Sequence, residues 1–201
     1  RYGYADVESH LNEWNYGPAD WAIWGPGKEH ARRRAFELQK NEEGASFVAA
    51  TLTRLQDVPV DVAAYYDGQP STLFCGLFDY YGVPQKTFYA MKAFHGLLAY
   101  PSRVKASVEG ESNGLTCLGA ADPATGETAL LLTRFGGDAG NVEVRVDGIP
   151  EGADLTYTVT LVDRNSTYVQ IERGPLERHG TATLTTHMDS HAIALVRVAR
   201  R

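Results

Sequence analysis

The pattern of apolar residues changes once along the chain, near Pro101, and this change constrains the fold more than any other feature. Before it, apolar residues recur at the i, i+3, i+4 spacing of helices or gather in short runs, and all three tryptophans lie in this part. After it come short runs of strict alternation, separated by Gly, Asp and Asn. A spacing near 3.6 marks one face of a helix and a spacing of 2 marks one face of a strand. The chain therefore reads as a mixed α/β segment, residues 1–101, followed by an all-β segment, residues 102–201.

In the first segment, Val7 to Trp14 reads as a strand, followed by a loop rich in Gly, Pro and Trp. Lys28 to Asn41 holds good helix formers. Gly44-Ala45-Ser46 is expected to interrupt, and Phe47, Ala50, Thr51, Arg54 and Leu55 then mark a second helix. Val58 to Tyr66 reads as a buried strand opened by Pro59. A loop runs from Asp67 to Val83, and Pro84 suits the first turn of a helix, where no N–H is needed. Strand–helix–strand–helix order points to parallel strands with helical crossovers. In the second segment, strands are expected at Val104–Val108, Gly114–Ala121, Glu127–Phe135, Val142–Val146, Leu155–Val162, Thr181–Thr186 and Ala192–Val198. Asp122 to Gly126 is a hairpin turn. Tyr157, Val159 and Leu161 alternate with threonines, which predicts one buried and one solvated face. Six to eight such strands form an antiparallel β-sandwich.

Several function classes recede. A formal net charge of −6 argues against a nucleic-acid partner, which needs a basic face to neutralise phosphates. No run of about 18 apolar residues is present to cross a membrane. No Cys/His cluster has zinc-ligand spacing and no glycine loop cradles phosphate, so neither metal nor cofactor is expected. Cys75 and Cys117 lie far apart among apolar neighbours and read as buried free thiols. Arg1-Tyr2-Gly3-Tyr4 resembles neither a signal peptide nor a natural start, so the chain reads as part of something longer and its compartment is not legible.

The chemistry concentrates in Glu8-Ser9-His10-Leu11-Asn12-Glu13-Trp14-Asn15-Tyr16-Gly17. Here a carboxylate ends an apolar strand and a Trp-Asn, Gly/Pro loop follows. In a barrel of parallel strands the active site lies at the C-terminal strand ends. A glutamate there can attack an anomeric carbon through an oxocarbenium-like transition state. The same residue also suits an ordinary salt bridge. His10, three residues before Glu13, falls on the other side of a regular strand and reads as a buried histidine.

Leu11-Asn12-Glu13-Trp14-Asn15 resembles the nucleophile motif that ends the seventh strand in glycoside hydrolase family 39 and related retaining (β/α)8 glycosidases. Arg1 to Asp6 resembles the end of the sixth helix and Val60 to Tyr66 the eighth strand. Thr72 to Asp79, with Gly82 to Lys86, resembles the loop into the eighth helix. The resemblance spans essentially the whole chain and implies the last two β/α units of an incomplete (β/α)8 barrel followed by a β-sandwich. It implies Glu13 as nucleophile in a double displacement on a β-xyloside or arabinoside-type glycan. The family's acid/base glutamate, in an Asn-Glu-Pro type motif, has no counterpart here. Trp14 follows Asn12-Glu13 where that motif has Pro, which favours the nucleophile assignment.

Around Glu13, Trp14, Asn15 and Tyr16 are the nearest candidates for substrate contact. Trp14, Tyr16, Trp21 and Trp24 either offer flat platforms to sugar faces or pin the loop. Asn15 either binds hydroxyls or holds a turn. Tyr66 or Asp67, at the end of the next strand, lines the mouth, and a tyrosine there is placed to donate to Glu13. Family members often carry a tryptophan near this place, and this chain does not. Asp79 reads as a loop cap. The β-sandwich shows no site, and its scattered His179, His187 and His191 do not make one. The expected partner is a carbohydrate, with room for a homo-oligomer. A carbohydrate-binding or structural module without turnover is the competing reading. Two strands of a barrel leave open edges, so the chain alone is expected to be inactive and to aggregate or pair.

Overall fold

The computed structural model describes residues 7–18, 20–70, 74–148, 154–176 and 181–201. The readings of Arg1–Asp6, Thr72–Leu73 and His179 lie outside them.

Strand β1 (His10–Trp14) leads through a 3-10 turn (Trp21–Trp24) into helices α1 (Glu29–Lys40) and α2 (Glu42–Leu55). Strand β2 (Val62–Tyr65) follows, then α3 (Lys86–His95) and a second 3-10 turn (Gly96–Ala99). Among the described residues eight further strands follow: β3 (Ser102–Val104), β4 (Leu115–Ala121), β5 (Thr128–Phe135), β6 (Gly140–Val146), β7 (Leu155–Val162), β8 (Thr167–Pro175), β9 (Ala182–Met188) and β10 (His191–Arg200).

These strands form three sheets. β1 and β2 pair in parallel, β6 and β9 pair antiparallel, and six strands join in the order β3-β4-β5-β10-β7-β8, every pair antiparallel. The central strands of the six-stranded sheet are buried on both faces. Alternate residues of β10 divide between two cores. Ala192, Ala194, Val196 and Val198 meet Val142 and Val144 of β6 and Leu184 and Met188 of β9. Ile193 and Leu195 meet Ala45, Val48 and Ala49 of α2 and Ala90 and Ala93 of α3. The small residues of α2 let its backbone approach the sheet. Ser46 adds a polar tie, with its Oγ 3.2 Å from His191 Nδ1.

The structure corrects the sequence reading at several places. Helix α2 runs straight through Gly44-Ala45-Ser46. The break falls at Asn41, whose side-chain oxygen accepts from Glu43 N at 2.9 Å and caps α2. Gly44 serves the α1–α2 corner: a Cβ there would lie 2.1 Å from the Gln39 carbonyl oxygen. Helix α3 begins at Lys86, two residues beyond Pro84, because Pro84 forms an isolated bridge with Phe78. β3 covers Ser102–Val104 rather than Val104–Val108. The threonine face of β7 is half-buried rather than solvated, because the helices cover that side. Strand β8 was not foreseen: its apolar Val169 and Ile171 face solvent, so its pattern shows no buried stripe. The hairpin at 122–126 forms as expected, with Gly126 N donating to Asp122 O at 2.8 Å and Gly126 at φ 76°.

β2 is exposed, not buried, and Pro59 precedes it. Its partner β1 is equally open. Val7 (68 % exposed), Leu11, Val58 and Val62 present apolar surface around this pair. Parallel strands are ordinarily covered on both faces. The 201-residue chain by itself is therefore expected to self-associate, as size-exclusion chromatography with light scattering would show. A monodisperse monomer would contradict this.

Gly44→Ala offers a second test. In an open helix the change favours folding by about 1 kcal/mol. Here the contact with Gln39 should reverse the sign and cost about 1–3 kcal/mol in chemical denaturation. A stabilised variant would show that the corner relaxes freely.

Candidate active site

The end of β1 is irregular. Leu11 pairs with Ala63 and Trp14 with Tyr65, so two residues, Asn12 and Glu13, stand opposite Ala64 alone. Such a bulge breaks the alternation and re-aims the side chains that follow. The break falls between His10 and Glu13, so regular alternation does not relate the two. His10 is also not buried: its side chain is 44 % exposed and its Nε2 lies 2.9 Å from Glu8 Oε2.

Glu13 is exposed at this strand end. Around it the loops after β1 and β2 are tied together. Tyr66 N donates to Trp14 O at 3.0 Å, and Asn15 Nδ2 donates to Tyr66 O at 3.2 Å. Trp14 meets Tyr65 edge-on, with centroids 5.1 Å apart. Asp67 N donates to Cys75 O at 3.4 Å, Leu77 N donates to Asp67 O at 3.0 Å, and the Tyr66–Asp67 peptide is cis. The Asn15–Tyr66 bond thus joins the two strand ends, and Asp67 is held to the loop at Cys75 and Leu77. Among the described residues no tyrosine hydroxyl donates to Glu13; Tyr65 donates instead to the Cys75 carbonyl at 3.4 Å.

Of the four rings weighed as platforms, two pack inward and two face solvent. Tyr16 donates its hydroxyl to Glu43 and packs on Phe47 and Phe135 at 4.9 and 5.8 Å. Trp14 is half-buried, and its indole N–H has no hydrogen-bond partner among the described residues. Trp21 and Trp24 are exposed on the 3-10 turn. Asp79 caps its loop as read, accepting from Tyr81 N and Val83 N at 2.8 Å each.

The residue that sequence reasoning missed is Gln39, buried on α1. Its Nε2 donates to Tyr16 O at 2.9 Å and its Oε1 accepts from Cys75 N at 3.2 Å. One amide therefore pins both loops flanking Glu13. The sole signal was its place four residues after Ala35 on the same helical face. A groove of about 680 Å3 runs along α1 beside Arg32, Phe36 and Gln85. Neither Glu13 nor Asp67 lines it, so the bulged strand end, which holds the chemistry, defines the candidate site.

Behind the strand ends, burial dominates the electrostatics. Burial pushes the Cys75 thiol up to about 12; the charges of Asp67 and Glu13 reinforce this, and Lys40 and an Asn15 hydrogen bond oppose it. Both cysteines are free thiols, Cys75 buried and Cys117 partly so. Burial also lowers Lys40, against the pull of Cys75, Asp79 and Asp67. Tyr65 is raised by burial, then by Cys75 and Asp67. Tyr16 is raised by burial, then by its bond to Glu43.

No family model matches the chain, and no curated protein matches it. Solved structures do. A glucosidase from Croceicoccus marinus superposes over 100% of this chain and 47% of its own, with TM-score 0.76 and 16% identity. A GH39 enzyme from Xanthomonas axonopodis pv. citri gives TM-score 0.68 at 14% identity, covering 98% of this chain and 45% of its own. A monomeric β-xylosidase from Caulobacter crescentus CB15 gives 0.66 at 12%, covering 97% and 46%. The chain has the fold of a part of these glycoside hydrolases. It spans less than half the length of each of the three.

The raised tyrosines predict alkaline sensitivity. Folding holds Tyr16 and Tyr65 protonated above their ordinary value of 10.0. Their contribution to stability is complete below about pH 10 and is lost as pH rises through the folded-state values. Tyrosinate absorbance should therefore show a fraction of the tyrosines ionising only as the fold opens. Full ionisation with the fold intact would contradict this. Cys75 should likewise resist a thiol reagent at mildly alkaline pH until denaturant is added.

Proposed function

We propose that this chain belongs to a retaining glycosidase, with Glu13 as the nucleophile. Residues 1–101 supply the last two β/α units of a (β/α)8 barrel, and residues 102–201 form the β-sandwich that follows it. The observation that carries the reading is the exposed Glu13 in a bulge at the C-terminal end of a parallel strand. The fold shared with glucosidase, GH39 and β-xylosidase structures supports it. The openness of β1 and β2 is what strands awaiting barrel neighbours would show.

In this mechanism a Glu13 carboxylate oxygen attacks the anomeric carbon as the bond to the leaving oxygen breaks. A second carboxyl group, carried by the rest of the barrel about 5–5.5 Å away, protonates that oxygen. The same group then takes a proton from water, which displaces Glu13 from the glycosyl ester. Asn15, Tyr66 and Asp67 line the site. Trp14 and Tyr16 hold the loop that frames it, and Gln39 keeps both loops in register. The substrate class is a β-xyloside or arabinoside-type glycan. The competing reading is a carbohydrate-binding module without turnover; a full-length sequence lacking any upstream Asn-Glu motif would favour it, and the presence of that motif would count against it.

Glu13→Gln in the full-length protein should lower kcat roughly a thousandfold or more, with the fold unchanged by circular dichroism. Glu13→Gly should regain turnover on adding azide, which fills the vacated space and yields a glycosyl azide of inverted configuration. Undiminished turnover in Glu13→Gln would end the nucleophile assignment.

A further inference from the structure

Trp21 and Trp24 sit on the 3-10 turn between β1 and α1; Trp24 packs on Phe36 and Phe74, whereas Trp21 gains little from packing within this chain. Trp21 is 80 % exposed and Trp24 45 %. A large ring contributes to stability through the area it buries, and Trp21 buries little. Yet the turn beneath is well fixed. Asp20 accepts from Ala22 N and Gly25 N donates to Ala22 O at 3.2 Å. Arg32 NH1 lies 3.4 Å from both the Ile23 and Trp24 carbonyl oxygens, and its guanidinium stands 5.8 Å from the Trp24 ring centroid. The two indoles incline by only 28°, with centroids 6.5 Å apart. Two flat rings are thus presented to solvent in a set orientation.

They are also continuous with the candidate site. Trp24 contacts Phe74 at 5.7 Å, Phe74 contacts Tyr66 at 6.5 Å, and the Tyr66 carbonyl accepts from Asn15, two residues beyond Glu13. An aromatic run therefore leads from the Glu13 strand end outward to Trp21. Flat apolar rings suit the C–H faces of pyranoses, and the Arg32 guanidinium beside Trp24 is a donor for sugar hydroxyls. Bases stack on rings too, but the net charge of −6 disfavours a phosphate backbone.

We propose that the Trp21–Trp24 pair is a distal platform for a glycan chain. It receives the sugar units that extend beyond those at Glu13, so that the preferred substrate is an oligosaccharide or polysaccharide rather than a short glycoside. The proposal rests on the glycosidase reading of Glu13.

The test uses the full-length protein, with xylohexaose and cellohexaose as long probes and para-nitrophenyl β-xyloside and β-glucoside as short ones. Trp21→Ala should lower the ratio of kcat/KM on the hexaose to that on the aryl glycoside roughly tenfold, mainly through KM. Trp21→Phe, which keeps a flat ring, should retain most of that ratio. Indole fluorescence should change on adding hexaose and lose that response in Trp21→Ala. An equal fall on both substrate lengths, or no change on either, would overturn the platform. If the wild-type protein cleaves none of the four, the β-xyloside reading of the substrate falls. The fluorescence titration then decides the platform alone: a response lost in Trp21→Ala sustains it, and no response to either hexaose overturns it.

Discussion

Strand β10 is the element on which the rest of the structure depends. It lies inside the six-stranded sheet, between β5 and β7, and its alternate residues serve two different cores. One set holds the β6–β9 pair and the other holds α2 and α3. A strand buried on both faces tolerates no slip in register, since a shift of one residue would exchange the two sets. The helices that carry the loops of the candidate site are therefore fixed from behind by this sheet. Lys86 strengthens the link: its ammonium donates to the carbonyls of Asp163 and Arg164 in the β7–β8 turn and pairs with Glu42 at the start of α2.

From that base the order reaches the strand ends through few groups. Gln39 lies on α1, whose junction with α2 is closed by the Asn41 cap and the tight Gly44 corner. Its buried amide spends one hydrogen bond on the Tyr16 loop and one on the Cys75 loop. A buried amide left without either partner would carry an uncompensated desolvation cost, so the two loops are held together cooperatively. The Asn15–Tyr66 bond closes the arrangement on the solvent side. The result is a carboxylate on an open strand end with its surroundings already positioned. The proposed nucleophilic attack at a sugar carbon would draw on such preorganisation.

Much of this was legible in the sequence because the relevant signals were local. Helix-forming residues marked α1, helical spacing marked the body of α2, and short alternating runs between turns marked β4, β5, β6, β7 and β10. The Asn12-Glu13-Trp14 segment at the end of an apolar run marked the candidate site. What escaped depended on contacts remote in sequence. Gly44 reads as a helix breaker until its closeness to the Gln39 carbonyl is known. Strand β8 has no apolar face turned to a core, so no periodicity announced it. The bulge at Asn12-Glu13 arises from pairing with β2, more than forty residues away, and with it went the inference that His10 lies on the opposite face. Gln39 acts through two loops it does not adjoin in sequence.

The central claim is that Glu13 carries out the displacement. It is tested most directly by treating the full-length protein with a panel of activated 2-fluoro-glycosides and mapping the labelled peptide. These reagents trap the glycosyl ester and depend little on the acid. The account predicts one covalent label, on Glu13, with the reactive panel member identifying the sugar. A label on another carboxylate of the folded protein would contradict it.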